Sequence, residues 1–124
     1  MPDAVPLFEM PSPFETESGT VLLLEPPTAT AGELRAQLLD ESYPKPFVID
    51  DGKQRFLYFN VRLMQSAMAL RTPNSLELRY TQKMMAFLLF HPRTKRIDLI
   101  GLGGGSLIKF CYHRLPGTQL TAVE

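Results

Sequence analysis

Gly101, Gly103, Gly104 and Gly105 stand together in the stretch IDLIGLGGGSLIKF, and Glu124 follows 23 residues after Gly101. Glycines spaced in this way, between a β-branched apolar run and an apolar-periodic one, suit one kind of chemistry. The first permits a tight turn out of a strand, the second lets a ligand approach the backbone, and the third lets a helix pack closely. The free N–H groups at a helix start donate to a bound group. A carboxylate at the end of the next strand accepts both ribose hydroxyls of an adenosine. The glycines and Glu124 together predict a nucleoside-binding unit.

The elements that must hold these residues follow from periodicity. Residues 97–102 read as a strand and 106–115 as a helix with Leu107, Ile108, Cys111 and Leu115 on one side. His113 and Arg114 fall in its last turn, where positive charge suits the dipole, and Gly117 ends it. Residues 119–124 read as a second strand. A strand, glycine turn, helix and strand form a βαβ unit, parallel and right-handed by the general rule. Upstream, residues 72–75 predict a helix start, with Asn74 as cap and Glu77 three residues later. Leu76, Tyr80, Met84 and Leu88 recur every fourth residue, Phe87 widens the stripe, and Pro92 stops it. Residues 93–96, RTKR, read as a solvated turn.

The beginning of the chain has another character. Residues 20–25 form a short apolar run closed by Pro26 and Pro27. A helix follows from Thr30, with Glu33 at capping-box spacing and Leu34, Leu38 and Leu39 as its apolar face. PFVID and RFLYFNV read as strands, and Asp51-Gly52 marks a hairpin between them. Residues 1–18 contain four prolines and four acids. Such a composition predicts an extended or disordered tail. The expected organisation is therefore a disordered tail over 1–18, a small mostly-β subdomain over 19–63 and an incomplete Rossmann-like nucleoside-binding domain over 64–124.

Composition narrows the function classes. The net charge is zero and the pI near 6.7, which argues against a nucleic-acid partner bound through a basic stripe. One cysteine excludes an intrachain disulfide and a cysteine zinc site. No run approaches the ~20 apolar residues of a membrane span, and no signal peptide is recognisable. A cytoplasmic protein without a membrane partner is expected. His91, His113 and Cys111 read as structural residues. There is no Ser-His-Asp set, no useful carboxylate pair and no metal cluster, so no catalytic residue and no metal site is expected.

The β unit and the aromatic-rich helix ahead of the glycines argue against NAD and towards an S-adenosylmethionine-type site. LMQSAM (63–68), LELRYTQKMMAF (76–87), HP (91–92), IDLIGLGGGSL (97–107) and TAVE (121–124) together resemble the spermidine synthase family of polyamine aminopropyltransferases and its bacterial spermidine-synthase-like branch. The resemblance covers roughly residues 46–124. It implies an α/β fold: a small mostly-β N-terminal subdomain, then the first half of a Rossmann-like domain of S-adenosylmethionine-methyltransferase type, truncated after its second strand. It also implies decarboxylated S-adenosylmethionine as co-substrate, with no tightly bound cofactor, and a polyamine acceptor. Gln65 matches the family's donor-contacting glutamine, Tyr80 the tyrosine of its Tyr-His pair at the acceptor, and Glu124 its ribose-binding acid.

Two positions depart from the family pattern. The histidine after the tyrosine is Thr81, and the aspartate of the glycine loop is Gly104. Loss of that acid removes an attraction for an ammonium-bearing donor without a carboxylate. Ordinary S-adenosylmethionine has a carboxylate, so a methyltransferase of the same fold is the alternative. A non-catalytic homologue acting as an interaction module is another. In the family the catalytic aspartate lies beyond the position of residue 124. The chain is therefore expected to be an inactive fragment of an active transferase. Its open strand edge predicts a homo-oligomer.

Overall fold

Apolar residues at every second position build the first sheet of the structure, a computed structural model that describes residues 6–124. Strand β1 is Phe8–Pro11, β2 is Thr20–Leu23, β3 is Phe47–Asp50, β4 is Gln54–Asn60 and β5 is Leu63–Ala69. They lie side by side in the order β1-β2-β3-β4-β5, and the first four run antiparallel to their neighbours. The register aligns Val21 with Ile49 and Leu23 with Phe47, then Phe47 with Tyr58. These side chains share one face. Helix α1 (Ala31–Leu39) adds Leu34 and Leu38 to the same core. The Phe47 and Tyr58 rings stack with centroids 5.2 Å apart.

The hairpin between β3 and β4 is closed by its own acids. Gly52 has φ 87°, the left-handed conformation that a tight turn demands. Asp51 Oδ1 accepts the Lys53 and Gln54 amides at 2.8 and 2.7 Å, and Asp50 Oδ1 accepts the Gly52 amide at 2.8 Å.

The chain divides into two compact units, Met1–Gln65 and Ser66–Glu124. Within the second lie α2 (Arg79–Met84), a 3-10 helix (Met85–Leu89), β6 (Arg96–Ile100), α3 (Ser106–Arg114) and β7 (Gln119–Val123). Strands β6 and β7 pair in parallel, Ile97 with Leu120 and Ile100 with Val123. The βαβ unit is thus present. The protein is a mixed α/β chain with an antiparallel sheet followed by this parallel pair.

Three expectations require correction. Residues 1–5 lie outside the described residues, but the rest of the proposed 1–18 tail is partly structured. Residues 8–11 form β1, Met10 is buried, and Phe8 and Phe14 pack against the core. Proline did not prevent this because β1 is an edge strand and Pro11 ends it, where its missing N–H costs no ladder bond. Alternating Phe8 and Met10 supply the apolar face that overall composition hid.

The second helix does not start at Asn74. Residues 72–75 form a turn, with the Ser75 amide donating to the Thr72 carbonyl, and helical geometry begins at Arg79. Gln82 Nε2 donates to the Leu76 carbonyl at 2.8 Å, which occupies that acceptor with a side chain instead of a helix turn. From Met85 the chain tightens to 3-10 geometry with three residues per turn, so the fourfold stripe cannot continue. Tyr80 and Met84, in the α-helical part, are exposed.

At α1, Thr30 occupies the N-cap position but its hydroxyl makes no capping bond. Leu39 is exposed, and only Leu34 and Leu38 of the expected trio are buried.

Candidate functional site

The glycine turn leaves β6 and feeds α3 directly. Gly101, Gly103 and Gly105 have φ of 84°, 56° and 77°. Gly105 is the N-cap of α3 in the left-handed conformation, which a residue with a Cβ adopts only at a cost. The turn closes on itself: the Gly105 amide donates to the Leu102 carbonyl at 3.0 Å, and the Lys109 amide to the Gly105 carbonyl at 3.0 Å. The Gly101 amide donates across to the Val123 carbonyl of β7 at 2.6 Å. That last bond carries the parallel ladder to the point where β7 delivers Glu124.

Glu124 reaches the loop. Its Oε2 accepts the Leu102 amide at 2.9 Å. An ionised carboxylate has roughly four acceptor positions, and this bond uses one. The side chain is exposed, so the remaining positions face solvent. The amino end of α3, with its unsatisfied N–H groups and positive dipole end, begins at the same turn. The arrangement offers an acceptor for paired hydroxyls on one side and backbone donors on the other.

The structure therefore brings Gly101, Gly103, Gly104 and Gly105 together with Glu124. The other expected site residues have different settings. Gln65 lies in β5 and closes the first unit, and it is half-buried. Tyr80 is on α2 with its ring exposed. Thr81, beside it, is buried, and its hydroxyl donates to the Leu78 carbonyl at 2.5 Å. Thr81 is occupied in starting its own helix. The Leu102 amide was not foreseen as a site group. The only signal for it was its position between two glycines that must turn.

The supporting shell is apolar and sulfur-rich. Cys111 of α3 is buried, with its Sγ 3.9 Å from Met85 Sδ. Burial pushes its thiol pKa up, so it stays protonated and packs as a small apolar group. Lys109 Nζ lies 3.2 Å from Met68 Sδ. The basic turn before β6 is structural at its start: the Thr94 hydroxyl donates to the His91 carbonyl at 2.6 Å, and Thr118 donates to the Thr94 carbonyl at 2.8 Å. Among the described residues no three His, Cys, Asp or Glu side chains gather as metal ligands would. No helix of the described residues is long and apolar enough to cross a membrane.

Comparison with known proteins adds a family. The chain is 38% identical over 84 residues to the polyamine aminopropyltransferase of Chromobacterium violaceum, a match that covers 68% of this chain and 32% of that protein. Polyamine aminopropyltransferases of Neisseria meningitidis serogroups A and B are each 37% identical over 83 residues. This chain spans about a third of the length of the curated relatives it matches. No protein-family model matches it, and no solved structure does. Over about two thirds of its own length, this chain is a spermidine synthase-like homologue of the polyamine aminopropyltransferases.

Proposed function

We propose that residues 101–105 and Glu124 bind the nucleoside part of decarboxylated S-adenosylmethionine. The chain would then carry the donor-binding part of a transferase that moves an aminopropyl group onto a polyamine. The observation that carries this reading is the Glu124 carboxylate held on the Leu102 amide at 2.9 Å, at the mouth of a turn with three left-handed glycines. That bond aims a carboxylate at the place where a ribose diol would sit, in a βαβ unit of Rossmann-like type. In this reading Gln65 contacts the donor and Tyr80 faces the acceptor. Thr81 stands beside it in sequence, and its hydroxyl, donated to the Leu78 carbonyl, keeps its acceptor positions for the same substrate. The reading extends to a cytoplasmic homo-oligomer acting on small molecules.

One observation favours a second reading. Gly104 places no acid within the glycine turn, so no side chain of residues 101–105 repels the carboxylate of ordinary S-adenosylmethionine, and methyl transfer fits the same fold. Titration calorimetry with methylthioadenosine tests the site common to both. Glu124→Ala removes hydrogen bonds to a charged acceptor, worth about 1.5–3 kcal/mol, so affinity should fall roughly 10- to 150-fold. Unchanged affinity would remove Glu124 from the site. Competition by decarboxylated against ordinary S-adenosylmethionine then separates aminopropyl from methyl donors. Binding of neither favours a non-catalytic interaction module.

A further inference from the structure

The turn between β3 and β4 carries the inference that goes furthest beyond nucleoside binding. Asp51 is followed by Gly52, and that peptide bond has a chemistry of its own. The amide nitrogen of the residue after an aspartate can attack the aspartate's side-chain carboxyl. A glycine there presents no Cβ to hinder the approach. The Gly52 nitrogen gives its proton to solvent and bonds to Asp51 Cγ. A carboxyl oxygen leaves as water with a proton returned from solvent, and a succinimide ring closes. Water then opens the ring. Cleavage at the side-chain carbonyl restores aspartate. Cleavage between the Asp51 carbonyl carbon and the Gly52 nitrogen leaves isoaspartate, with the main chain routed through Cβ and Cγ. One water is released and one taken up, and no other reactant is needed.

The folded turn withholds both reacting groups. The Gly52 amide donates to Asp50 Oδ1 at 2.8 Å. Attack needs that nitrogen without its proton, and a carboxylate at this distance disfavours a second negative charge. Asp51 Oδ1 accepts the Lys53 and Gln54 amides at 2.8 and 2.7 Å. These bonds turn the carboxylate towards residues 53 and 54. They also hold it below its usual pKa, in the ionised form, which is a poorer electrophile than the protonated acid. Asp50 is itself fixed, because Arg55 Nε lies 2.8 Å from its Oδ2 and the two residues are partners across β3 and β4. The Asp51 amide donates to the Gln54 carbonyl at 3.1 Å and closes the turn. Asp51 and Gly52 are both exposed, so water reaches the bond.

We propose that Asp51–Gly52 is a site of spontaneous isoaspartate formation, kept closed in the folded hairpin by the Asp50 carboxylate on the Gly52 amide. Asp50 thus guards the main chain as well as pairing with Arg55. Isomerisation adds a carbon to the backbone of a turn whose register aligns Asp50 with Arg55, Ile49 with Phe56 and Phe47 with Tyr58. Phe47, Ile49 and Tyr58 belong to the buried core of the first unit. A lengthened turn strains that pairing. A modification begun in a transiently open hairpin therefore favours the open form.

The test ages the whole chain at neutral pH in heavy-oxygen water. Electron-transfer fragmentation of the peptide that contains residue 51 distinguishes isoaspartate from aspartate, and a heavy oxygen enters at each ring opening. The chain unfolded in guanidinium chloride should form isoaspartate at residue 51. The folded chain should do so at least about tenfold more slowly, the weight of a hydrogen bond to a charged acceptor. Asp50→Ala should lose most of that protection while folded. Asp50→Asn, which keeps a neutral acceptor, should fall between the two. Arg55→Gln leaves the Gly52 bond in place and should stay close to wild type. Leu38→Ala destabilises the core outside the turn and should also stay close, so a rate equal to that of Asp50→Ala would overturn the role of Asp50. Equal rates in the folded and unfolded wild type would overturn the proposal, as would no isoaspartate at residue 51 in either. So would an Asp50→Ala chain that reacts no faster than wild type, or more slowly, as it would if Asp50 acted as a base on the Gly52 amide. None of these readouts depends on nucleoside binding.

Discussion

The main buried core lies in the first unit, and the most exposed large apolar residues lie in the second. Val21, Leu23, Leu38 and Ile49 have at most 1% of their surface exposed. In the second unit Leu89, Phe90 and Ile100 are 82%, 80% and 98% exposed. The difference follows from topology. Antiparallel strands joined by short turns bring one apolar face together locally, and a single amphipathic helix is enough to cover it. A parallel pair has two faces and two outer edges to cover, and one connecting helix covers one face. The glycine turn and Glu124 belong to this open unit. Groups meant to meet a ligand are commonly found where few contacts hold the chain.

The largest effects should therefore come from the first unit. Leu38→Ala empties a fully enclosed position between α1 and the sheet, at a cost of about 2–5 kcal/mol. Ile100→Ala, on the bare face of β6, should change stability by less than about 0.5 kcal/mol. Urea unfolding of both variants measures the contrast, and equal losses would abolish it. Gly19→Ala comes next. Gly19 has φ 127°, and a Cβ there would stand 2.2 Å from the Asp50 carbonyl oxygen. Either β2 or the end of β3 must move, and the backbone strain alone is worth about 1–3 kcal/mol. The same unfolding assay should show this loss. An unchanged midpoint would mean that the β1–β2 connection is not tied to the sheet.

What could be read from the sequence depended on how local the signal was. β2, β3, β4 and the Gly52 turn were legible, because alternation and a positive-φ glycine act within a few residues. The β6, α3 and β7 pattern and the meeting of Glu124 with the glycines were legible for the same reason. β1 was not, because its two useful residues, Phe8 and Met10, sit among prolines and acids that dominate any composition window. The start of α2 was misread because Asn74 and Glu77 imitate a capping box, while Gln82 and Thr81 spend their side chains on the carbonyls of Leu76 and Leu78. The fourfold stripe then failed at Met85, where 3-10 geometry changed the period. Nothing in the sequence marked the Leu102 amide, since a backbone donor carries no residue signature.

Acid should separate the two units further. The Arg55 guanidinium, and then the Gly52 amide, hold the Asp50 carboxyl below its usual range. The Gln54 and Lys53 amides do the same for Asp51. Glu25, beside Lys45, and Asp40, beside Ser42, are also lowered. All four lie in the first unit. A carboxyl whose folded pKa is depressed contributes stability that is complete above its unfolded value, about 3.9 for Asp. That contribution is lost as pH falls through the lower folded value. Unfolding midpoints between pH 6 and pH 2 should therefore decline below about pH 4. Asp51→Asn, which keeps an acceptor but cannot titrate, should flatten part of that decline. The same slope in wild type and variant would show that the hairpin acids do not set the acid limit.

The smallest effect tests a strained position in the well-packed unit. α1 ends in a Schellman arrangement: the Ser42 amide donates to the Gln37 carbonyl at 2.9 Å and the Glu41 amide to the Leu38 carbonyl at 3.4 Å. The residue that must turn left-handed there is Glu41, with φ 65°, where glycine is usual. Holding a Cβ in that conformation costs about 1–2 kcal/mol. Glu41 also pairs with Arg62 at 2.9 Å, but both side chains are substantially exposed, and such pairs contribute about 0–1 kcal/mol. Glu41→Gly relieves the strain and loses the pair, and glycine gains freedom in the unfolded chain, so the net change should be a stabilisation of up to about 1 kcal/mol. Glu41→Ala loses the pair and keeps the strain. The difference between the two variants isolates the backbone contribution, and it should appear as a melting temperature higher by about 4–8 °C in Glu41→Gly for each kcal/mol. If Glu41→Ala is as stable as Glu41→Gly, the strain at residue 41 is no larger than the freedom that glycine gains in the unfolded chain.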